Sequence, residues 1–584
     1  MSVRSCARAA FAMVGFGGAL LITGCGSGVV EMIGSPAEGF SISGRVQGGQ
    51  QPITGASISL YVAGTTGYGV NAQPLASSIS VASDKSGIFH VSGSYQCPSP
   101  TAQVYLISSG GNTGSGINNR AVLMSALGNC STFEAPGAFI NVSEVSTVAS
   151  VYALAQFMKA GSTDVGTSST NVVGLNNAFA TVNNLLDITS GQARTLTPAK
   201  NGKVPQSTIN TLADIMAACV NSMQPEGPCA ELFTAATPPG GTAPVDTLAA
   251  MVNIAKNPGL NVTKIYNLPT AQGAYEPSLT SAPNDWTLSI EYSGGGLHQG
   301  QLPAVDAQGN VWVPSHLDPG TISEFSPTGE PLSGPGFSGG GLSYPEAVAI
   351  DLNGNVWAAN EGNSTVSEHT SGGTPLSGTG FTMPGMQFPY DLAVDGNGNV
   401  FTADGNNTVA KFNSSGSAEK LITGGGLDVP FAVALDGGEN LWIANGDSDP
   451  QANTLSKFSN NGVTAATTGF SGGGLTVPYF VAVDATGNVW AANFDSPQVS
   501  ELSSSGMPLS GAGYAMPNEV SALAIDGDNT VWTANTDGSV SHLANSGAAL
   551  SPESGYVSSD ATAAVGLVID GSGNVWTTDY YVDS

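Results

Sequence analysis

The sequence predicts a mainly β protein, with a seven-bladed β-propeller in its C-terminal part preceded by a small β-sandwich and a small helical domain. Three observations predict it. A phrase of the form P-x-x-x-A-V-D-x-x-G-N-V-W-x-A-N recurs seven times beyond residue 300. Apolar and polar residues alternate strictly in the stretches that begin at Phe40 and Ala56. Between Val142 and Leu268 the apolar spacing lengthens to three and four. Alternation by two marks half-buried strands, a spacing of three and four marks amphipathic helices, and a repeat of about 40–45 residues marks a propeller blade. At 584 residues, 78 of them Gly and only 10% charged, the chain exceeds one core and suits many short strands joined by tight turns.

The first residues read as an address. Arg4 and Arg8 precede an apolar run from Ala9 to Ile22 that ends in Ile22-Thr23-Gly24-Cys25. So short a run behind a basic start is an export signal, not a membrane span. The tetrad resembles the lipobox of bacterial lipoproteins. That resemblance implies a signal peptide over 1–24, lipidation at Cys25 and a membrane partner reached through the N-terminal lipid, which anchors stably when several acyl chains are present. Gly26 stands where an aspartate would retain the protein inward, which by the same resemblance implies an outer-membrane lipoprotein in the cell envelope of a Gram-negative bacterium. A flexible Gly/Ser tether follows, so that 25–39 is linker.

Six cysteines, less Cys6 in the signal and Cys25 on lipid, leave Cys97, Cys130, Cys219 and Cys229. An even remainder suits an oxidising compartment. Proximity suggests Cys97 with Cys130 and Cys219 with Cys229, four buried free thiols being the alternative; no CxxC spacing points to metal. Removing 1–24 takes away two arginines and no acid, so the net charge moves from -29 to -31. Such a surface repels nucleic-acid phosphates, so no nucleic-acid partner is expected.

Residues 40–138 form the β-sandwich. Phe40-Ser-Ile-Ser-Gly-Arg-Val, Ala56-Ser-Ile-Ser-Leu-Tyr-Val, Asp84-Lys-Ser-Gly87-Ile-Phe89 and Val104-Tyr-Leu resemble the carboxypeptidase regulatory-like domain, which implies a spacer or adhesion role without catalytic residues. Residues 139–270 form the helical domain. Val145, Val148, Val151, Leu154 and Phe157 share one helical face behind an N-cap at Ser143, and further helices are predicted over Asn171–Leu186, Ser207–Met223 and Asp246–Ala255. A linker over 271–285 leads to the propeller, 286–584.

The repeat is anchored by Asp306, Asp351, Asp395, Asp436, Asp484, Asp526 and Asp570, spaced 41 to 48 residues apart. Six residues after each stands an aromatic: Trp312, Trp357, Phe401, Trp442, Trp490, Trp532 and Trp576. Seven anchors mean seven blades. In each, two strands flank the turn Asp-x-x-Gly-Asn, whose aspartate bonds backbone amides across the turn. A third strand follows, as in Thr365-Val-Ser-Glu-His, and a fourth precedes the Gly-Gly-Gly-Leu run near Gly339, Gly424 and Gly472. The last unit contains only its first two strands. Asp285–Leu297 reads like the outer part of a repeat and is expected to lend a strand to the seventh blade, latching the ring with its third strand still missing.

These phrases resemble the NHL-repeat and, more closely, the streptogramin (virginiamycin B) lyase-like propellers. The resemblance implies fold and not function. Those lyases cleave a cyclic depsipeptide with a histidine, acidic residues and magnesium. Here the slots after the repeated aromatic are largely asparagine, and no convergent acid, base and metal set is legible, so no catalytic residue and no metal ligand is assigned. No cofactor is expected, magnesium or calcium being the alternative; turn chemistry accounts for Asp-x-Asn-Gly-Asn without calcium. The expected ligand mouth comprises His316, Asn360, Glu361, Asp404, Asn445, Asn493, Asn535 and Asp579, brought together by repeat symmetry. The function expected is therefore an envelope-exposed binding scaffold for an unknown protein, glycan or peptide, the alternative being a divergent metal-dependent lyase.

Overall fold

The computed structural model describes residues 38–75, 81–95, 97–132, 139–223, 227–271, 273–446, 453–558 and 561–581. Cys25 and the signal and tether segments before Glu38 lie outside the described residues.

The N-terminal strands make two sheets. In one, Glu38–Gly48 pairs antiparallel with Ile88–Tyr95 and parallel with Phe139–Val142. In the other, Gln103–Ser109 lies between Ser57–Val62 and Val122–Asn129. Alternate residues of Ser57–Val62, namely Ile58, Leu60 and Val62, are buried, as a period of two requires when one face meets a core.

Among the described residues six α-helices follow: α1 (Glu144–Leu154), α2 (Val172–Leu185), α3 (Gln206–Val220), α4 (Pro228–Ala235), α5 (Thr247–Lys256) and α6 (Val262–Tyr266). Ser143 caps α1 in a capping box with Ser146, and Asp246 caps α5 by accepting from the Ala249 amide. The hydroxyls of Thr147 and Ser150 on α1 accept the Met124 and Ala126 amides, at 2.9 and 3.0 Å, and so satisfy the free edge of Val122–Asn129.

One finding corrects the expected boundary between 40–138 and 139–270. A single hydrophobic core runs from Ile42 through the sandwich strands and the helices to Trp286. Phe139–Val142 also belongs to the first sheet. Neither the sheets nor the helices could bury their apolar faces alone, so they form one unit. Disulfides join Cys97 to Cys130 and Cys219 to Cys229 within it.

From Ala304 to Asp579 the described residues form seven small antiparallel sheets in succession. Their middle strands are Val311–Ser315, Val356–Asn360, Val400–Asp404, Leu441–Asn445, Val489–Asn493, Val531–Asn535 and Val575–Asp579. Each is flanked by an inner strand before it and, in the first six sheets, by a third strand after it. Inner strands pack on the next inner strand in turn, and the seventh, Ala564–Ile569, returns to the first, Ala304–Val305. Thr578 Oγ1 donates to the Gln301 carbonyl at 3.0 Å across this closure. Gly566 permits it, because a Cβ there would lie 2.5 Å from Pro303.

The repeated phrase has a clear physical basis. Oδ1 of Asp351 accepts the Asn353 and Asn355 amides at 2.8 and 2.9 Å while Oδ2 accepts the Trp357 indole N–H at 3.3 Å. The same indole bond recurs from Trp312, Trp442, Trp490, Trp532 and Trp576 to their own aspartates. Each carboxylate is thus consumed by N–H donors, and each tryptophan supplies both core volume and one of those donors.

The expected latch is also corrected. Glu291–Tyr292 pairs with Gly202–Lys203 and not with Val575–Asp579. The segment takes its backbone partner from the helical unit.

Candidate functional site

The inner strands of the second to fifth sheets open with Pro345-Glu346, Pro389-Tyr390, Pro430-Phe431 and Pro478-Tyr479. The pairing register slips just after each proline. A bulge there re-aims the side chain that follows proline out of the sheet and toward the mouth of the ring. The residue before each proline, Tyr344, Phe388, Val429 or Val477, has φ between 44° and 54°, a conformation costly for bulky and β-branched residues. Neighbouring polar groups hold it: Asn407 Oδ1 accepts the Val429 amide at 2.7 Å and Asn453 Oδ1 the Val477 amide at 2.7 Å.

The result is an aromatic arc. Ring centroids of Tyr390 and Phe431 are 4.9 Å apart, those of Phe431 and Tyr479 4.4 Å, and those of Tyr479 and Phe494 5.0 Å. Phe494 is 37% and Tyr344 40% exposed, so the arc is open to solvent at that end and at the Tyr344 edge.

Beside the arc stands a polar cluster. His316 Nε2 lies 2.9 Å from Glu346 and 3.4 Å from Glu361. Its ring rests against Tyr344, with centroids 5.0 Å apart, and near Tyr580 at 6.3 Å. The hydrogen bond to Glu346, reinforced by that carboxylate's charge and by Glu361, raises the His316 pKa against the opposing effect of burial. Burial pushes Tyr479 up to about 12, helped by the charge of Glu346. Tyr390 is raised by burial and by the charges of Glu361 and Glu346; Glu346 and Tyr390 each follow the opening proline of neighbouring inner strands, which puts cluster and arc at one mouth. One atom from each of His316, Glu346 and Glu361 lies within 4.8 Å of the others. A nitrogen with two carboxylate oxygens is a donor set that fits a divalent cation.

Of the residues expected at the mouth, only His316 and Glu361 reach it. Asn360, Asp404, Asn445, Asn493 and Asn535 are 0% exposed and Asp579 6%. They are corrected from ligand contacts to locks inside each sheet. Asn360 Nδ2 donates to Thr365 and Ser367 on the third strand, Asn445 to Thr454 and Ser456, and Asn535 to Ser539 and Ser541. Asn493 donates to the Gln498 carbonyl and Ser500. Asp404 accepts from Thr402 and Thr408, while Asp579 accepts from Thr562 and the Ala563 amide. Side chains alternate along a strand, and these point between sheets. Glu346 and the aromatic arc were missed because they occupy a variable position of the repeated phrase. Their shared place directly after proline was the available signal.

No family model matches this chain, and no curated protein matches it. Solved structures do. The streptogramin B lyase structure is 15% identical over 48% of this chain and 91% of that chain, with a TM-score of 0.41. Virginiamycin B lyase from Staphylococcus aureus is 15% identical over 48% and 92%, with a TM-score of 0.41. The WD40 β-propeller domain of Doa1 is 13% identical over 49% and 91%, with a TM-score of 0.38. The C-terminal half is propeller-like. Lyases and a WD40 domain stand side by side among these matches, so no activity transfers from them.

Proposed function

We propose that this chain is an envelope-anchored binding module, tethered by lipid at Cys25, whose seven-bladed propeller offers its mouth to a ligand with alternating apolar and polar surface, such as a glycan or a cyclic peptide. The observation that supports this reading is the aromatic arc of Tyr390, Phe431, Tyr479 and Phe494 beside His316, Glu346 and Glu361. Ring faces receive C–H surfaces and the carboxylates accept hydrogen bonds from hydroxyl or amide donors, the usual division of labour in a recognition pocket. The test is a glycan and cyclic-peptide panel against the soluble form beginning at Gly26. Phe431→Ala and Tyr479→Ala should each weaken the best ligand at least tenfold. Asn445→Ala, buried in its sheet, should lower thermal stability and leave affinity within twofold. A ligand indifferent to both aromatic changes would sink the mouth assignment.

A second reading, a divergent metal-dependent lyase, is favoured by the His316–Glu346–Glu361 cluster alone. These three residues would hold a divalent cation, which when bound supplies Lewis-acid polarisation of a carbonyl. Calorimetric titration of magnesium and calcium, with a His316→Ala control, separates the two. Binding lost in the control together with turnover of a cyclic depsipeptide would replace the scaffold by the enzyme. Heat without turnover, or no heat, keeps the scaffold.

A further inference from the structure

Two glycines seat the rings of the mouth. Gly405 and Gly446 directly follow the middle strands of the third and fourth sheets. Neither has φ in the left-handed region, so the backbone does not call for glycine at either place. A Cβ on Gly405 would lie 2.7 Å from the Tyr390 ring, and one on Gly446 2.4 Å from the Phe431 ring. Each ring therefore occupies the space that a side chain would fill. In the fifth sheet Phe494 stands where these glycines do and packs on Tyr479 with centroids 5.0 Å apart. The residue after the middle strand thus positions a mouth ring in three successive sheets.

The charge around these rings has one sign. Beyond residue 300 the sequence has 29 aspartates and glutamates, three lysines and no arginine. All three lysines lie at the far end of the ring, where inner and middle strands turn. Lys457 pairs with Asp436 at 3.2 Å, Lys411 with Glu419 at 3.3 Å, and Lys420 donates to the Asn461 carbonyl at 2.6 Å. The N-terminal unit docks at that far end too, with Asn171 donating to the Gly571 carbonyl and Asn177 to that of Gln308, in the turns after Asp570 and Asp306. Among the described residues, the mouth end has basic side chains only in His298 and His316. Around them stand Glu346 and Glu361, with exposed Asp318, Asp495 and Asp537 on the loops that follow middle strands. Burial raises Tyr390 and Tyr479, and the charges of Glu346 and Glu361 raise both further, so the field of these carboxylates reaches across the arc.

We propose that the mouth takes an organic cation, an alkylammonium group held between the rings of the arc and the carboxylates of Glu346 and Glu361. This rests on the reading of the mouth as the ligand site and names the chemistry of what enters it. The face of an aromatic ring is the negative side of its quadrupole and attracts a cation within about 6 Å of the centroid. Carboxylates beside the rings accept the N–H bonds that an ammonium gives up on leaving water. A concave site lined with one sign of charge above low-dielectric walls also concentrates the opposite sign. An anionic ligand meets repulsion there. A bare divalent ion would engage His316 and the two carboxylates and make no use of Phe431, Tyr479 and Phe494, whereas an alkylammonium engages rings and carboxylates together.

The experiment titrates tetralysine and spermidine into the full chain in about 0.15 M salt, which screens exposed charges beyond about 8 Å, with ε-acetylated tetralysine as the neutral match. Saturable binding of the amines is expected, and acetylation should weaken the peptide by about tenfold. This comparison uses the unaltered protein, so it holds even where a variant fails to fold. Glu346→Gln should weaken the amines by about tenfold and Phe431→Ala by about fivefold. Glu330→Gln, exposed at the far end, should leave them within about twofold. Tighter binding of tetralysine than of spermidine supports lysine side chains as the source of the ammonium, and the reverse order supports a free polyamine. No saturable binding of either amine, or binding that Glu346→Gln and Phe431→Ala both leave unchanged, overturns the proposal. A neutral glycan that is lost in Phe431→Ala and meets no competition from either amine overturns the cation while keeping the mouth.

Discussion

The two halves of this chain bury apolar surface in opposite ways. The N-terminal unit gathers residues from Ile42 to Trp286 into one core in which sheets and helices cover each other. The ring divides its apolar residues among small clusters, each shared between neighbouring sheets; one unites Trp357, Val366, Leu392, Val400 and Phe412, and the next Phe401, Val409, Val433 and Leu441. A divided core answers to nearest-neighbour contacts, so damage stays local; a shared core answers as a whole.

That contrast can be broken by substitution. Trp442 is fully buried, donates to Asp436 and carries Lys457 over its face at 4.5 Å. Trp442→Ala should cost about 3–5 kcal/mol, and chemical denaturation should show the ring's transition moving while the N-terminal one stays. Equal movement of both would mean the halves fold as a single unit. Replacing Cys219 and Cys229 by Ser opens a cross-link of sequence separation 10. It should cost about 2–3 kcal/mol, confined to the N-terminal transition.

The smallest effect has the opposite sign. Burial pushes Asp404 up to about 7, against hydrogen bonds from Thr402 and Thr408. The folded chain then holds a proton that the unfolded chain releases near its ordinary value, so stability is highest below that value and falls as pH rises toward 7. Asp404→Asn restores the residue of four sister sheets and should stabilise the ring by on the order of 2 kcal/mol at pH 8, with little gain at pH 4. Melting temperatures at the two pH values decide it; an equal change at both would show that burial of the charge is not the cause. Asp436 behaves conversely. Burial is outweighed by hydrogen bonds from Asn440, Lys457 and backbone amides, so its contribution is lost only as pH falls through its depressed pKa.

The ring was legible because every repeat states the same local physics. Asp351 and Trp357, six residues apart, must face one another across a turn, and such a bond can be read from spacing. Helices α1, α2, α3 and α5 were legible from apolar spacing, whereas α4 and α6 are too short to show a period. The mouth was half legible. The repeat register put Asn360, Asn445 and Asn493 in equivalent places but did not reveal that their side chains turn inward.

By itself the sequence determined the number of sheets, their turns and their buried tryptophans, since each depends on residues within one repeat. Tertiary structure alone decided which side chains from different repeats meet. His316, Glu346 and Glu361 come from two sheets, and Tyr292 reaches Trp576 from nearly the full ring away. Contacts of that kind depend on ring closure and on bulges that redirect single residues, and neither leaves a period in the chain.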